Sequence, residues 1–185
     1  MVIRERENEA DLTIAAEYAN EKNLIFLLKH TCGQVCVPMA KARLKELNLD
    51  LMEKNPSNKK ACSFTVSVDA EEAKTGISAK DKSLVIHHLV NGGAKKIVKP
   101  GHTFPLIAKN DGVLERQGHT EASLDLVRLA KLYPAAVICE LMDKDTGMPL
   151  KGKKLNNFIQ DHNITLVKIK DIIKYRLRNN IKWTK

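Results

Sequence analysis

Three short segments of this 185-residue sequence place ionisable side chains beside turn residues, where substrates are commonly bound. The first is residues 6–11, whose acidic side chains by themselves are typical of the first turn of a helix. The second is residues 116–121, and the third is residues 99–102, a turn that carries the imidazole of His102. Glu140 adds a carboxylate at the end of an apolar segment. Two histidine-bearing turns and a strand-terminal acid together indicate a binding or catalytic site.

The segment 116–121 has the composition of a phosphate site at the start of a helix. Gly118, the β-branched hydroxyl of Thr120 and an acidic residue begin a helix there, and the first turn of a helix offers backbone N–H groups to a phosphate. Arg116 would add a bidentate contact to the same group. The imidazole of His119 would reach a metal ion or a substrate oxygen. The residues alone therefore predict an enzyme with a phosphate and metal site.

Several other functional classes are excluded by what the sequence lacks. Cys32 and Cys36 have no second cysteine pair, so a zinc-thiolate site is not expected. The Gly-Gly pair at 92–93 lacks the flanking glycines of a nucleotide-binding loop, and there is no Gly-x-Ser-x-Gly elbow. No apolar run is long enough to cross a membrane, and no secretory signal is present. We therefore expect a cytoplasmic protein with reduced thiols.

The net charge of +9 is concentrated near the C-terminus. Residues 144–185 contain 11 Lys or Arg and 3 Asp or Glu, a balance of +8, whereas residues 1–143 are close to neutral. A basic segment of this kind is compatible with an RNA- or anion-binding module. It has few aromatic side chains to stack on bases, chiefly Tyr175 and Trp183. A solvated, lysine-rich helix with a basic tail at 177–185 is the simpler prediction.

The apolar pattern predicts an α+β fold of the three-layer α/β type, a single domain over residues 1–185 in which helices cover a mixed β-sheet. Ser78 is the predicted N-cap of one helix. The predicted helices are 9–29 (with a break near Asn20 or Asn23), 39–48, 80–91, 121–131, 153–162 and one from 170. The predicted strands are 33–38, 62–69, 103–108, 135–141 and 164–169, with a loop at 54–61.

Six stretches together resemble the 3,4-dihydroxy-2-butanone 4-phosphate synthase family of riboflavin biosynthesis, in its monofunctional form. They are RENEADL at 6–12, SFTVSVDA at 63–70, TGISAKD at 75–81, PGHTFPL at 100–106, GVLERQGHTEASLDLVRLA at 112–130 and CEL at 139–141. The resemblance implies a lyase that converts D-ribulose 5-phosphate to L-3,4-dihydroxy-2-butanone 4-phosphate and formate. It further implies a homodimer that uses Mg²⁺ or Mn²⁺ and binds neither nucleic acid nor a membrane.

The resemblance also assigns site residues, position by position. Those implied to be catalytic are His102, Glu140, Glu9 and Cys36. Those implied to contact the substrate are Arg6, Glu7, Asp11, Arg116, Gln117, Gly118, His119 and Thr120, and the metal ligands among them are Glu7 and His119. A metal ion held by two protein ligands would stabilise an enediol while substrate and water fill its other positions.

The sequence departs from the family pattern at its start and at three arginines. Only residues 1–5 precede Arg6, so the N-terminal helix and strand of the family are expected to be missing, and Val2 and Ile3 replace usual aspartates. Family arginines are replaced by Lys82, Lys99 and Ile107; lysine keeps the charge without the bidentate geometry. These departures leave two alternatives open, a truncated or degenerate paralogue with little activity and the anion- or RNA-binding module.

Overall fold

A computed structural model of the chain describes residues 1–4, 9–31, 34–55, 57 and 62–183. They form one mixed sheet of seven strands in the order β4-β5-β3-β6-β2-β1-β7. The pairs β1–β7 and β3–β5 are parallel, and the remaining pairs are antiparallel. The strands are β1 (Val2–Arg4), β2 (Glu9–Ala15), β3 (Cys36–Met39), β4 (Val68–Ala70), β5 (Ile97–Ile107), β6 (Ala136–Glu140) and β7 (Val167–Lys168).

Helices cover both faces of this sheet, which confirms the predicted three-layer α+β class. The larger core contains buried side chains of α1, α2, α3 and α5 packed on one face. On the other face, α4 and α6 share two smaller apolar clusters with β1 and β6. The helices are α1 (Glu21–His30), α2 (Lys41–Glu46), α3 (Ala79–Asn91), α4 (His119–Leu129), α5 (Gly152–Asp161) and α6 (Ile169–Arg178).

The prediction of helical stretches over residues 9–29, with a break near Asn20 or Asn23, is wrong for the first part. Residues 9–15 form β2, which pairs with β1 on one side and β6 on the other. The alternating burial of this segment suits a strand, because Ala10 and Leu12 enter the larger core while Asp11 between them points to the opposite face. The break near Asn20 is confirmed. Its side chain accepts a hydrogen bond from the backbone N–H of Asn23 and caps α1.

The strand predicted at 62–69 is mostly irregular. Phe64 and Thr65 make isolated bridges, and the continuous strand β4 is Val68–Ala70. In contrast, β5 begins at Ile97, six residues before the predicted start. The two strands cross closely at Gly101, where any Cβ atom would overlap the backbone of Val68. A glycine at this position therefore permits the close approach.

Most helix predictions are confirmed, including the cap of α3. The Ser78 hydroxyl accepts the backbone N–H of Asp81, as expected for a serine N-cap. The strand predicted at 33–38 corresponds to β3, and the one at 135–141 corresponds to β6. Of the loop predicted at 54–61, residues 56 and 58–61 lie outside the described residues.

A short strand precedes Arg6, in a chain where the N-terminal helix and strand of the family are expected to be missing. Val2–Arg4 form β1, which lies between β2 and β7. Val2 is fully buried against α4 and α6, and the terminal ammonium of Met1 donates to the carbonyl of Thr165. An apolar side chain at position 2 suits this interior place in the sheet.

The basic C-terminal segment is only partly solvated, contrary to the simple prediction. Arg176 on α6 is fully buried and donates to the carboxylates of Asp111 and Asp125. The indole N–H of Trp183 also donates to Asp125, and the Arg176 guanidinium lies 4.8 Å from the indole ring centre. These contacts tie residues beyond α6 to α4. No helix within the described part of the chain has the length and apolar character needed to cross a membrane.

Candidate active site

The sheet face that carries α4 also carries the ionisable residues singled out in the sequence. Asp11 on β2 is the direct partner of Glu140 on β6. Cys36 on β3 is the partner of both Ile138 on β6 and Phe104 on β5. Partners across a ladder point to the same face, and so do residues two apart on one strand. Asp11, Glu140 and Cys36 therefore share the face opposite the larger core.

His102 lies on the same face and in the same row as Glu140 and Asp11. It is two residues before Phe104, and Glu140 is two residues after Ile138, so the register through β3 places the two level with each other. Strand β3 lies between the two strands that carry them, so their Cα atoms are about 10 Å apart. The structure thus brings together three residues that are far apart in sequence, in a row a small sugar phosphate can span.

His119, the first residue of α4, contacts the strand that carries Asp11. Its Nε2 donates to the carbonyl of Glu9 at 3.3 Å, and its Nδ1 lies 3.8 Å from Asp11 Oδ1. Asp11 is 2% exposed, and burial, followed by the charges of Glu140 and Glu9, raises its pKa well above the usual value. Its Oδ1 has no hydrogen-bond partner among the described residues. A buried carboxylate oxygen in this state fits a nearby cation.

Arg116 is held beside the N-terminus of α4 by a buried carboxylate. Its Nη1 donates to Glu121 Oε2 at 2.7 Å, and Nη2 donates to the sulfur of Cys62 at 3.5 Å. Glu121 is 1% exposed and also accepts the backbone N–H of Lys109. Gly118 caps the helix, and a Cβ atom there would overlap Arg116 Nη1. The glycine therefore leaves room for the guanidinium next to the free N–H groups of the first turn.

The remaining substrate residues of this segment differ in accessibility. Gln117 is exposed, whereas Thr120 is buried within the first turn of α4. The structure therefore places the 116–120 segment as one unit around the helix N-terminus, with Gln117 on its outer side. Arg6 and Glu7, assigned above to substrate and metal, lie outside the described residues.

Cys36 is brought to the site face but is poorly suited to act as a thiolate. It is buried between β5 and β6. Burial, followed by the charges of Glu140 and its neighbours, raises the pKa of the thiol far above its ordinary value. A neutral thiol can donate or accept a weak hydrogen bond but is not an activated nucleophile.

Sequence reasoning missed the residues that hold these side chains. His102 Nδ1 lies 2.7 Å from Asp69 Oδ2, and Lys82 Nζ donates to the His102 carbonyl at 2.8 Å. Asp69 and Glu121 lie in the matched motifs at 63–70 and 112–130, and Lys82 directly follows the motif at 75–81. A motif alone does not tell which of its residues support another.

The three replaced arginines take different places. Lys82 holds the backbone of His102, and Lys99 donates to the carbonyl of Asn48 at 2.8 Å. Ile107 is the ladder partner of Met39 and packs against the larger core. Within residues 1–4, 9–31, 34–55, 57 and 62–183, no group of three or more His, Cys, Asp or Glu side chains is arranged to hold a metal ion. Of the two metal ligands implied by the resemblance, His119 lies among the described residues and Glu7 lies outside them.

Known proteins match this chain along nearly all of its length. The family model for 3,4-dihydroxy-2-butanone 4-phosphate synthase matches residues 2–175. The riboflavin biosynthesis protein RibBA of Endomicrobium trichonymphae is 47% identical over 176 residues, covering 94% of this chain and 43% of that protein. The 3,4-dihydroxy-2-butanone 4-phosphate synthase of Helicobacter pylori is 44% identical over 178 residues, covering 95% and 52% respectively. The chain thus spans about half the length of the curated relatives it matches.

Solved structures agree with the sequence matches. A crystal structure of 3,4-dihydroxy-2-butanone 4-phosphate synthase in complex with two magnesium ions superposes with a TM-score of 0.90 at 34% identity, covering 98% of this chain and 91% of that one. The two-domain 3,4-dihydroxy-2-butanone 4-phosphate synthase RibBX of A. baumannii superposes with a TM-score of 0.89 at 39% identity, covering 95% and 53%.

Proposed function

This chain belongs to the 3,4-dihydroxy-2-butanone 4-phosphate synthase family, and on that premise we propose that it converts D-ribulose 5-phosphate to L-3,4-dihydroxy-2-butanone 4-phosphate and formate. The observation that carries the proposal is the position of His119 and Arg116 at the N-terminus of α4, beside the row of Asp11, Glu140 and His102. This arrangement puts an anion site next to groups that can move protons.

The substrate phosphate would bind at the N-terminus of α4. The backbone N–H groups of the first turn and the helix dipole favour a negative group there. Arg116 remains charged while Glu121 orients it, and the guanidinium has further N–H groups to donate to phosphate oxygens. The sugar carbons would then extend over the sheet face toward Asp11 and Glu140.

A divalent cation fits the described part of this site. The buried Asp11 oxygen without a hydrogen-bond partner, 3.8 Å from an imidazole nitrogen of His119, is a place where positive charge is favourable. We assign Glu7 and His119 as the protein ligands of Mg²⁺ or Mn²⁺. When bound, the cation would supply positive charge to stabilise the oxygen atoms of an enediolate.

The reaction requires several proton transfers, and the row across the sheet supplies groups of different kinds. Glu140 is exposed on the face where the substrate would lie, whereas Asp11 is buried. Glu9, two residues before Asp11 on β2, accepts a hydrogen bond from His119 Nε2 through its carbonyl, and His102 adds an imidazole at the other end of the row. Acids and bases with different surroundings suit successive steps that need different proton affinities.

The C-terminal contacts favour the enzyme over the RNA-binding alternative. Arg176 is paired with two carboxylates, and the indole of Trp183 is hydrogen-bonded to Asp125. These groups are therefore occupied and are poorly placed to contact phosphates or stack on bases. The homodimer implied by the family resemblance and the cytoplasmic location expected from the sequence stay predictions. Light scattering of the purified protein would test the first.

The proposed activity is tested by measuring formate release from D-ribulose 5-phosphate. We expect turnover with Mg²⁺, loss of turnover with a chelator, and recovery when Mg²⁺ is restored in excess. His119→Ala should abolish turnover, whereas His87→Ala, at an exposed histidine of α3, should leave it unchanged. Folded wild-type protein that releases no formate with either Mg²⁺ or Mn²⁺ would favour the degenerate paralogue instead.

A further inference from the structure

A carboxylate outside the row of site residues makes two contacts with His102. Asp69 on β4 accepts the backbone N–H of His102 through Oδ1 at 3.0 Å, and its Oδ2 lies 2.7 Å from His102 Nδ1. The register of β4 and β5 shifts between Val68 and Asp69. Such a bulge redirects a side chain relative to a regular strand, and here it accompanies a carboxylate aimed at the imidazole of the neighbouring strand.

The surroundings of Asp69 hold its carboxylate in one place. The carboxylate lies directly against Gly76, where a Cβ atom would overlap all three of its terminal atoms. Gly76 also has φ +73°, a backbone conformation that residues other than glycine rarely adopt. The site therefore provides a closely fitting space for the Asp69 carboxylate, and Asp69 itself is buried.

The backbone of His102 is fixed from the opposite side. Lys82 on α3 is 6% exposed, and its ammonium donates to the His102 carbonyl at 2.8 Å. Burying an ammonium is costly unless it is paired, so a lysine in this place is best explained by the two partners near it, the carbonyl and the charge of Asp69. Backbone N–H, backbone carbonyl and one ring nitrogen of His102 are thus all engaged.

The remaining ring nitrogen is directed by these contacts. An ionised carboxylate only accepts hydrogen bonds, so the ring proton of neutral His102 lies on Nδ1 and the lone pair lies on Nε2. The His102 side chain is 51% exposed, in the row with Glu140 and Asp11. The nitrogen that can accept a proton is therefore the one not bound to Asp69, on a half-exposed side chain beside the space proposed for the substrate.

We propose that Asp69 is a positioning residue of the reaction, which keeps His102 in the tautomer and orientation that make Nε2 the proton acceptor. This inference rests on the proposed function, since it assigns Asp69 a part in that same chemistry. Asp69 does not touch the substrate; it acts through His102, and Lys82 holds the backbone on which the imidazole is mounted.

Asp69→Asn is the sharpest test because it changes the tautomer with little change in shape. The amide oxygen keeps the hydrogen bond from the His102 backbone N–H, which leaves the NH₂ group to donate to Nδ1 and moves the ring proton to Nε2. We expect kcat for formate release to fall about 10²- to 10⁴-fold, the range that one acid–base group contributes, while KM changes less than about threefold.

The proton position itself can be read by nitrogen NMR of protein labelled in histidine, with the His102 signal identified by its loss in His102→Gln. We expect the proton on Nδ1 in the wild type and on Nε2 in Asp69→Asn. A wild-type proton on Nε2, or a full kcat in Asp69→Asn with the proton moved, would overturn the proposal. This spectrum needs no turnover, so it separates failure of Asp69's role from failure of the proposed activity.

A double-mutant cycle distinguishes positioning from a purely structural effect. In a His102→Ala background, Asp69→Asn should reduce residual formate release less than threefold, because the group it acts through is gone. An undiminished loss in that background would overturn the proposal. The matched control is Glu72→Gln, which removes the carboxylate from a similar pair away from the site face, in which Glu72 lies 3.1 Å from His88. In this variant kcat should stay unchanged.

Discussion

Asp11 and Glu140 face each other as direct partners across the ladder between β2 and β6, two carboxylates on one face of the sheet. Like charges placed opposite each other in a sheet reduce stability. Burial of Asp11 adds to this cost, and both effects raise the pKa of its carboxyl group. A sheet designed only for stability would not place them so, which is consistent with a site that requires two acids close together.

Glu140→Gln should therefore separate stability from activity. Removing one of two facing charges should raise the free energy of unfolding by about 0.2–1 kcal/mol, while kcat for formate release falls about 10²-fold or more. Urea unfolding followed by circular dichroism, with the formate assay, measures both. The control is Glu17→Gln, at a carboxylate in the short turn after β2 that accepts the backbone N–H of Tyr133. A lower stability for Glu140→Gln would contradict this account.

Arg116→Lys tests whether the guanidinium joins the buried Glu121 to the phosphate. Lysine keeps the charge but cannot donate to a carboxylate and a phosphate through a planar fork. We expect KM for D-ribulose 5-phosphate to rise about tenfold, the loss of about one charge-assisted hydrogen bond, with a smaller change in kcat. Arg128→Lys, on the last turn of the same helix, should leave KM within twofold. Equal effects of the two substitutions would exclude this role for Arg116.

Sequence patterns predicted the elements best where local signals were strong. The Ser78 cap, the period of α4 and the apolar run of β6 all appear as expected, because capping and apolar periodicity act over a few residues. Residues 9–15 were predicted to be helical but form a strand. A short apolar segment is compatible with either structure, and the pairing of β2 with β1 and β6 decides between them. Local sequence does not contain that information.

The sequence indicated the residues of the candidate site that carry chemistry but not the residues that hold them in place. His102, Glu140, Asp11 and His119 carry chemistry themselves and stand out as residue types beside turns. The partners that hold them, such as Asp69 and Glu121, are recognised only by contacts between strands or between turns of a helix. Charged residues of that kind are usually exposed in a sequence of this composition, so nothing in the pattern marks these two as buried.

Arg176 should be among the residues that matter most for stability. It is 0% exposed and pairs with both Asp111 and Asp125, so Arg176→Met would leave two carboxylates without their cation. We expect the free energy of unfolding to fall by about 3–5 kcal/mol, measured by urea unfolding with circular dichroism. Trp183→Phe should cost about 1–3 kcal/mol by removing the hydrogen bond to Asp125. Tyr175→Phe, exposed on α6, should cost nothing measurable.

Asp81 should make stability depend on pH in the acid range. Burial raises its pKa, but hydrogen bonds from Ser78 and from the backbone N–H groups of Lys74, Thr75 and Gly76 outweigh this, and the net pKa lies below the ordinary value of 3.8. The stabilisation is therefore fully present above pH 3.8 and is lost as the pH falls through the lower folded value.

Asp81→Asn should accordingly reduce stability at pH 7, and the difference from the wild type should shrink as the pH falls below 3.8. Thermal unfolding at a series of pH values measures this. Asp50→Asn, at an exposed aspartate, should show no such trend. A constant difference between Asp81→Asn and wild type down to pH 2.5 would mean that the effect comes from shape and not from charge.

Cys36 should react slowly with alkylating reagents despite its place at the site. Burial, then nearby carboxylates, raise the pKa of the thiol, so the reactive thiolate is scarce at neutral pH. We expect alkylation by iodoacetamide at pH 8 to be at least tenfold slower in native than in urea-unfolded protein, as followed by mass spectrometry of the peptide. Comparable rates in the two states would show that the thiol is accessible and ionised.

The place of β1 between β2 and β7 has a consequence for synthesis of the protein. The strand that leads into the first site segment needs Val167 and Lys168 as its outer neighbours, and the chain between them is more than 160 residues long. On a ribosome, Val2–Arg4 emerge well before their outer neighbours, which follow more than 160 residues later. The site would therefore be completed late, and until then the exposed strand edge is open to pairing with other chains.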